Sequence, residues 1–345
     1  MDPRPAGVNN RSASQRVFLA ITAIVSIACL VWVLHDIDAR SLGAEIAAMD
    51  WRWVTLAVLS DIAVFLWQGW RWSLLLRPLA NVPFWRSVRA IYVGLFANEV
   101  LPFRTGELIR CYLQARWSSL PFSVTLSSAL IERIFDGIWL IIFLYVTVRF
   151  VELPRAMIDA GIVLTFVLVF CALLLAAAMF HKQRAREVMR TNRILSKLTV
   201  LLDDLHIIGH SRYLYFSAFA SFPYLLMQVV PIYALLKGYG IDLSLGASAA
   251  LMVILRLGSV IPQAPGNIGM FQALAVIGLQ IFGVEQGLAK RFSLVLWGVI
   301  TMPLLITGFI ALAITGLKLG ELRRRAQAGS AKAANAAPGS EPSSA

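Results

Sequence analysis

Apolar residues run along this chain in long blocks, separated by short polar segments. Six blocks, at about 17–34, 53–76, 123–148, 157–180, 213–236 and 292–316, are long enough to cross ~30 Å of hydrocarbon as helices. Two more, about 88–101 and 246–283, follow another pattern. The first ends at Pro102 after a rise of only about 21 Å, and Gly106 follows. Residues 88–120 therefore read as a re-entrant helical hairpin. Its irregular backbone must lie inside protein or line a wet cavity. The second, around "IPQAPGNIGMFQ", reads the same way.

The distribution of Lys and Arg sets the orientation, because they favour the cytoplasmic side of short loops. If 88–120 returns to the side it left, segments 1–16, 71–89, 103–121, 181–212 and 317–345 share one side and hold 22 Lys and Arg, against 7 on the other. If 88–101 spans, the balance becomes 12 inside and 17 outside. The first arrangement is expected, with both termini cytoplasmic. The apolar run at 17–34 is long for a signal peptide and lacks a small-x-small cleavage site before His35-Asp36, so it reads as a retained anchor.

Composition agrees with this class. The 345 residues are 59% hydrophobic and 14% charged, with mean hydropathy +0.73. The net charge of +12 lies mostly between spans, where anionic lipid headgroups are the natural counter-charge. No nucleic-acid motif accompanies it, so nucleic acid is not expected as a partner. Cys29, Cys111 and Cys171 lie in or beside apolar runs and read as packing residues, not a disulfide framework. His206 and His210, beside Asp203 and Asp204, form either a metal pair or, as favoured, the polar face of an interfacial helix whose stripe is Ile194, Leu198, Leu201, Leu205 and Ile208. The tryptophans at 51, 53, 67, 70, 72 and 85 read mostly as interface anchors.

A shift of 160 residues lays the chain on itself. "VLPFRTG" (100–106) falls on "VIPQAPG" (260–266), so that Val100, Pro102 and Gly106 match Val260, Pro262 and Gly266. Span 53–76 falls on span 213–236. The two run in opposite directions in the expected topology, so the repeat is inverted. Paired broken helices in inverted repeats mark alternating-access transporters. A duplicated scaffold with proline kinks is the alternative.

Charged residues inside the apolar blocks are the candidate chemistry. "ALIERIFDGIW" puts Glu132, Arg133 and Asp136 inside the span 123–148. Each costs about 2.5–3.5 kcal/mol at a helix centre unless paired or hydrated. They form either a salt bridge that locks the bundle or a polar cavity shared with Arg104, Glu107 and Arg110, and both readings stand. Arg256, four residues before the second break, is the only charge between Asp242 and Glu285. Asp61 reads as lying near an interface and is left out of the site. No cofactor, metal or catalytic constellation is recognisable.

"NEVLPFRTGELIR", "LIERIFDG" and "IPQAPGNIG", in that order, resemble the lysylphosphatidylglycerol synthase transmembrane family, also called flippase-like domain proteins, over roughly residues 15–318. The first motif falls on Asn98, Leu101-Pro102, Arg104 and Gly106-Glu107, the second on Glu132-Arg133 and Asp136, the third on Pro262, Pro265 and Gly266. Where the family often has Gly-Gly and a later glutamate, this sequence has Gly266-Asn267 and Gln272. The family's soluble aminoacyl-transferase domain has no counterpart in this sequence, so aminoacylation of a lipid is not implied.

The expectation is an all-α polytopic membrane protein with about six spans and two re-entrant hairpins in an inverted repeat (about 53–150 and 213–316). Residues 1–15 form a cytoplasmic segment, 16–318 the membrane domain and 319–345 a disordered basic tail. The resemblance implies translocation of an anionic or polar-headgroup lipid across a bacterial inner membrane. Arg104, Glu107, Arg110, Glu132, Arg133, Asp136 and Arg256 would form the headgroup site. Asn98, Pro102, Gly106, Pro262, Pro265, Gly266 and Asn267 would shape the breaks. A membrane-embedded lipid-modifying transferase and an accessory subunit working with lipid-biosynthesis enzymes are the alternatives, and the oligomeric state is open.

Overall fold

The computed structural model describes residues 24–35, 37–101, 105–150, 211–259 and 265–335, with single positions between 155 and 170. The chain is an all-α membrane protein, and no strand occurs among the described residues. The continuous helices among the described residues are α1 (Ile24–Leu34), α2 (Ala39–Ala48), α3 (Trp51–Leu76), α4 (Phe84–Val100), α5 (Gly106–Ser118), α6 (Phe122–Val148), α7 (Arg212–Met227), α8 (Val229–Gly238), α9 (Leu245–Gly258), α10 (Met270–Ile281), α11 (Gln286–Thr315) and α12 (Leu319–Asn335). Among the described residues, α3, the continuous pair α7–α8 and α11 are long and apolar enough to cross a membrane. Helix α6, with 27 residues, matches them in length but carries Glu132, Arg133 and Asp136. Much of the expected span 157–180 and the start of 17–34 lie outside the described residues, as do the interfacial stripe with His206 and His210, and Cys171.

Polar residues set the helix ends where sequence chemistry puts them. Asp50 caps α3 by accepting from Arg52 N at 3.0 Å, and Ser244 caps α9 by accepting from Ala247 N at 3.1 Å. The two short apolar stretches each fold back as a helix pair, α4–α5 and α9–α10, in which the partners pack on each other. At 17, 13, 14 and 12 residues, these helices rise only about 18–25 Å each, short of ~30 Å of hydrocarbon.

The inverted relation of the two halves is visible in the packing. Along α3 and α7–α8, Asp50 N donates to Gly238 O (2.9 Å), Trp67 Nε1 donates to Ala220 O (2.9 Å), and Arg77 lies over the Tyr213 ring (5.3 Å). The repeat-related spans therefore run antiparallel. Other contacts exchange with the halves: α4 lies against α11 as α9 lies against α6, and α5 against α6 as α10 against α11.

Two sequence readings are corrected. The 319–345 segment is not all unstructured tail: Leu319–Asn335 is a helix that packs on α5, with Leu322 and Ala326 buried. Leu319, Leu322 and Ala326 form an apolar stripe at helical spacing. Trp72 is not an interface anchor. It is fully buried and its Nε1 donates to Ser128 Oγ at 2.9 Å. Trp51, Trp70 and Trp85 remain exposed, as anchors would be.

Candidate functional site

The first helix break is built around two glycines. Gly106 opens α5, and a Cβ there would lie 1.9 Å from the Gly94 carbonyl oxygen of α4. Only glycine allows the hairpin arms to come so close. Asn98 Oδ1 accepts from Gly106 N at 2.9 Å, which satisfies a backbone donor at the α5 start. The second break holds Gly266 at φ +79° and Asn267 at φ +52°, both left-handed. Gln272, in the place of the expected glutamate, is buried and accepts from Gly269 N at 2.6 Å. A neutral amide fills this buried capping role without a charge to desolvate. The two breaks meet: Asn267 Nδ2 donates to Glu99 Oε1 at 3.2 Å.

The charges of α5 and α6 are joined by Arg71 of α3, and six side chains close a ring of alternating sign. Arg71 Nη2 bonds Glu132 Oε1 at 2.9 Å, and Glu132 Oε2 accepts from Arg110 Nη1 at 2.8 Å. Arg110 Nε bonds Glu107 Oε2 at 2.8 Å, and Glu107 bonds Arg133. Arg133 Nη1 lies 3.8 Å from Asp136 Oδ2, and Asp136 returns to Arg71. Three arginines and three carboxylates make the ring formally neutral. Arg71 also donates to Ser221 Oγ at 2.6 Å and lies over the Tyr224 ring, and Arg110 lies over Trp72.

Arg71 is the residue that sequence reading missed, because it sits among tryptophans at the end of an apolar run and counts there as a loop charge. It is 0% exposed. Taking Arg71 and the buried Arg110 out of the charge tally leaves the excess on the same side. The remaining expected residues divide by position. Arg110 and Glu132 are buried inside the ring with partners on both sides. Arg133, Glu107 and Asp136 face outward, the Arg133 side chain being 43% exposed. Pro102, Arg104 and Pro262 lie outside the described residues, and Pro265 is placed by its backbone in a short 3-10 turn.

Beside the ring lies a cavity of about 500 Å³ between the two breaks. Its first-half wall carries Gln68, Asn98, Glu99, Glu107, Arg133 and Asp136. The second half contributes Tyr224, Gln228, Arg256, Ser259 and Asn267. Arg256 donates to Gln228, while Gln68, the repeat mate of Gln228, has a buried Oε1 without a hydrogen-bond partner among the described residues. The arrangement offers two guanidinium groups, three carboxylates, four side-chain amides and two hydroxyls to a polar ligand. No group of His, Cys, Asp or Glu among the described residues could hold a metal ion.

Residues 18–308 match the model of the family described as lysylphosphatidylglycerol synthase TM region. The chain is similar to a UPF0104 membrane protein of Methanothermobacter thermautotrophicus, at 24% identity over 81% of this chain and 86% of the relative. A second UPF0104 membrane protein of that organism is 20% identical over 80% and 89%. A UPF0104 membrane protein of Pyrococcus horikoshii is 26% identical over 71% and 82%. No solved structure matches significantly.

Proposed function

The chain belongs to the lysylphosphatidylglycerol synthase TM-region family, and from that premise we propose that it moves a lipid with an anionic or polar headgroup between bilayer leaflets by alternating access. The observation that carries this reading is the charged cavity between two helix breaks contributed by opposite halves. A cavity in that place can open to either side by rocking one half against the other. Arg133 and Arg256 would receive the phosphate, Gln68, Asn98 and Gln228 would bond the polar remainder, and the acyl chains would stay in lipid. Arg71, Arg110 and Glu132 would form scaffold, since each is buried inside the ring, whereas Arg133 keeps an exposed face on the cavity. Arg104, as a flanking residue of the first break, remains part of the proposal. The site would work in a bacterial plasma membrane with both termini cytoplasmic. The charge excess supports that orientation, and lipids are the partners it requires.

The test is reconstitution of the purified protein into vesicles with fluorescently labelled phospholipids, followed by chemical quenching of the outer leaflet. Protein-dependent loss of protection is expected, with the lipid chemically unchanged on extraction. An unaltered quenching plateau, across anionic and zwitterionic headgroups, would refute the reading. A new lipid product would replace it with an enzymatic one.

A further inference from the structure

Asp61 lies in the middle of α3, 6% exposed, and its Oδ2 has no hydrogen-bond partner among the described residues. It lines a chamber of about 190 Å³ together with Arg256, Gln228, Ser259 and Asn267. Those four residues also line the larger cavity, so the two spaces share a wall. A carboxyl and a guanidinium of opposite sign thus share one chamber, yet Arg256 bonds Gln228. An ionised carboxylate buried in this way costs several kcal/mol unless it is paired.

Repeat symmetry makes the position informative. Under the 160-residue shift Asp61 falls on Ser221, which accepts from the buried Arg71 at 2.6 Å. The same place in both halves faces a guanidinium, the buried Arg71 on one side and the half-buried Arg256 on the other, once through a hydroxyl that does not titrate and once through a carboxyl that does. The other groups around Asp61 narrow the choice of partner. Arg256 of α9 and Tyr92 of α4 interact with it electrostatically. Helices α8, α10 and α11 bring Ile232, Phe271 and Ile300, which are apolar. Glu99, across the larger cavity, is engaged with Asn267.

We propose that Asp61 is a proton-coupling site, protonated when an anionic group occupies Arg256 and ionised against Arg256 when that group leaves. The proposal rests on the lipid-translocating reading above. Arg256 carries one positive charge, so an anionic ligand and an ionised Asp61 together would leave one negative charge uncompensated in the chamber, and proton and ligand therefore bind together. By linkage, each strengthens the other's binding by the same factor. One proton moving with one monoanionic headgroup is electroneutral. A gradient of one pH unit would then hold a leaflet ratio of about tenfold, and membrane potential would have no effect on it.

The experiment uses the full-length protein in detergent with dihexanoyl phosphatidylglycerol as probe, monitored by calorimetry and by a pH-indicator dye in weak buffer. Wild type is expected to take up close to one proton per probe bound, with affinity falling towards about tenfold per pH unit as Asp61 ionises. Asp61→Asn, a near-isosteric change, is expected to bind with no proton uptake and a flat pH profile. Binding by wild type without proton uptake from pH 5 to 9, or equal uptake by Asp61→Asn, would overturn the coupling and leave the translocation reading intact. Failure of wild type to bind the probe, together with no lipid movement in vesicles, would overturn both. Should Asp61→Asn fail to fold, the wild-type proton count and pH profile alone decide.

Discussion

Replacing Arg71 by Met tests the ionic ring most directly. Arg71 is fully buried, and it bonds Glu132, which is 1% exposed, and Asp136, which is 16% exposed. A methionine would fill most of the aliphatic volume but leave Glu132 Oε1 without its bond. Asp136 would be left only the Arg133 guanidinium at 3.8 Å. Removing one member of a buried ion pair typically costs 3–5 kcal/mol, because a charge is left uncompensated. The ring still holds Glu132 through Arg110, so the expected loss is about 4 kcal/mol. Adding Asp136→Asn restores the balance of two positive and two negative groups and is expected to recover about half of it. Reversible unfolding in mixed micelles, followed by tryptophan fluorescence, gives the three free energies. A loss below about 1 kcal/mol would put Arg71 in the range of exposed pairs and refute the buried ring. So would a double variant no more stable than Arg71→Met, since removing the excess carboxylate charge would then recover nothing.

Other outcomes follow from the same geometry. Gly106→Ala is expected to destabilise by about 1–3 kcal/mol through overpacking against the Gly94 carbonyl, whereas Gly298→Ala, inside α11 with nothing within 4 Å of the new Cβ, should stabilise by about 0.5–1 kcal/mol through helix propensity. Arg133→Gln should lower lipid movement at least tenfold while costing under about 1 kcal/mol of stability, given its exposure; Arg110→Gln should show the reverse balance, with the larger loss in unfolding free energy. Cysteines at positions 99 and 267, whose side chains are bonded in the structure, should cross-link with a short reagent, and no reaction with reagents of any length would separate the two breaks. A cysteine at Ser118 should react with an impermeant reagent only from the cytoplasmic side, and labelling from outside intact cells would invert the topology.

Much of this arrangement is legible in the residue order. The long apolar blocks give α3 and α7–α8 their ends to within two residues and α11 its end to within one, though α11 starts six residues earlier than read, and the Pro-x-x-x-Gly echo at a 160-residue shift locates both breaks. Glu132, Arg133 and Asp136 announce that partners exist, because three charges cannot sit unpaired in an apolar helix. What the pattern does not carry is the identity of the partner. Arg71 pairs with residues 61 and 65 positions away, and local context makes it look like a snorkelling interface charge. Asp61 is similarly ambiguous: its distance along α3 from the Asp50 cap suits either an interface or a buried chamber, and only the packing of α9 decides. The helix Leu319–Asn335 was hidden by composition, since its Ala, Gly and Ser content dilutes a stripe of only a few buried positions.

The neutral ring has no counterpart in the other half. The positions 160 residues beyond Arg71, Glu132, Arg133 and Asp136 are Pro231, Phe292, Ser293 and Leu296, and Phe292 and Leu296 are fully buried in an apolar core. Two halves with one plan are thus held by forces of different character. Directional bonds among six charges admit a single register and tie α3, α5 and α6 together like a keyed joint, so in the proposed transport cycle they would move as one piece. Interdigitated aliphatic and aromatic side chains tolerate sliding, because one greasy contact can be exchanged for another at little loss. A duplicated architecture has in this way become mechanically lopsided, with the keyed half suited to be the frame and the oiled half the part that slips.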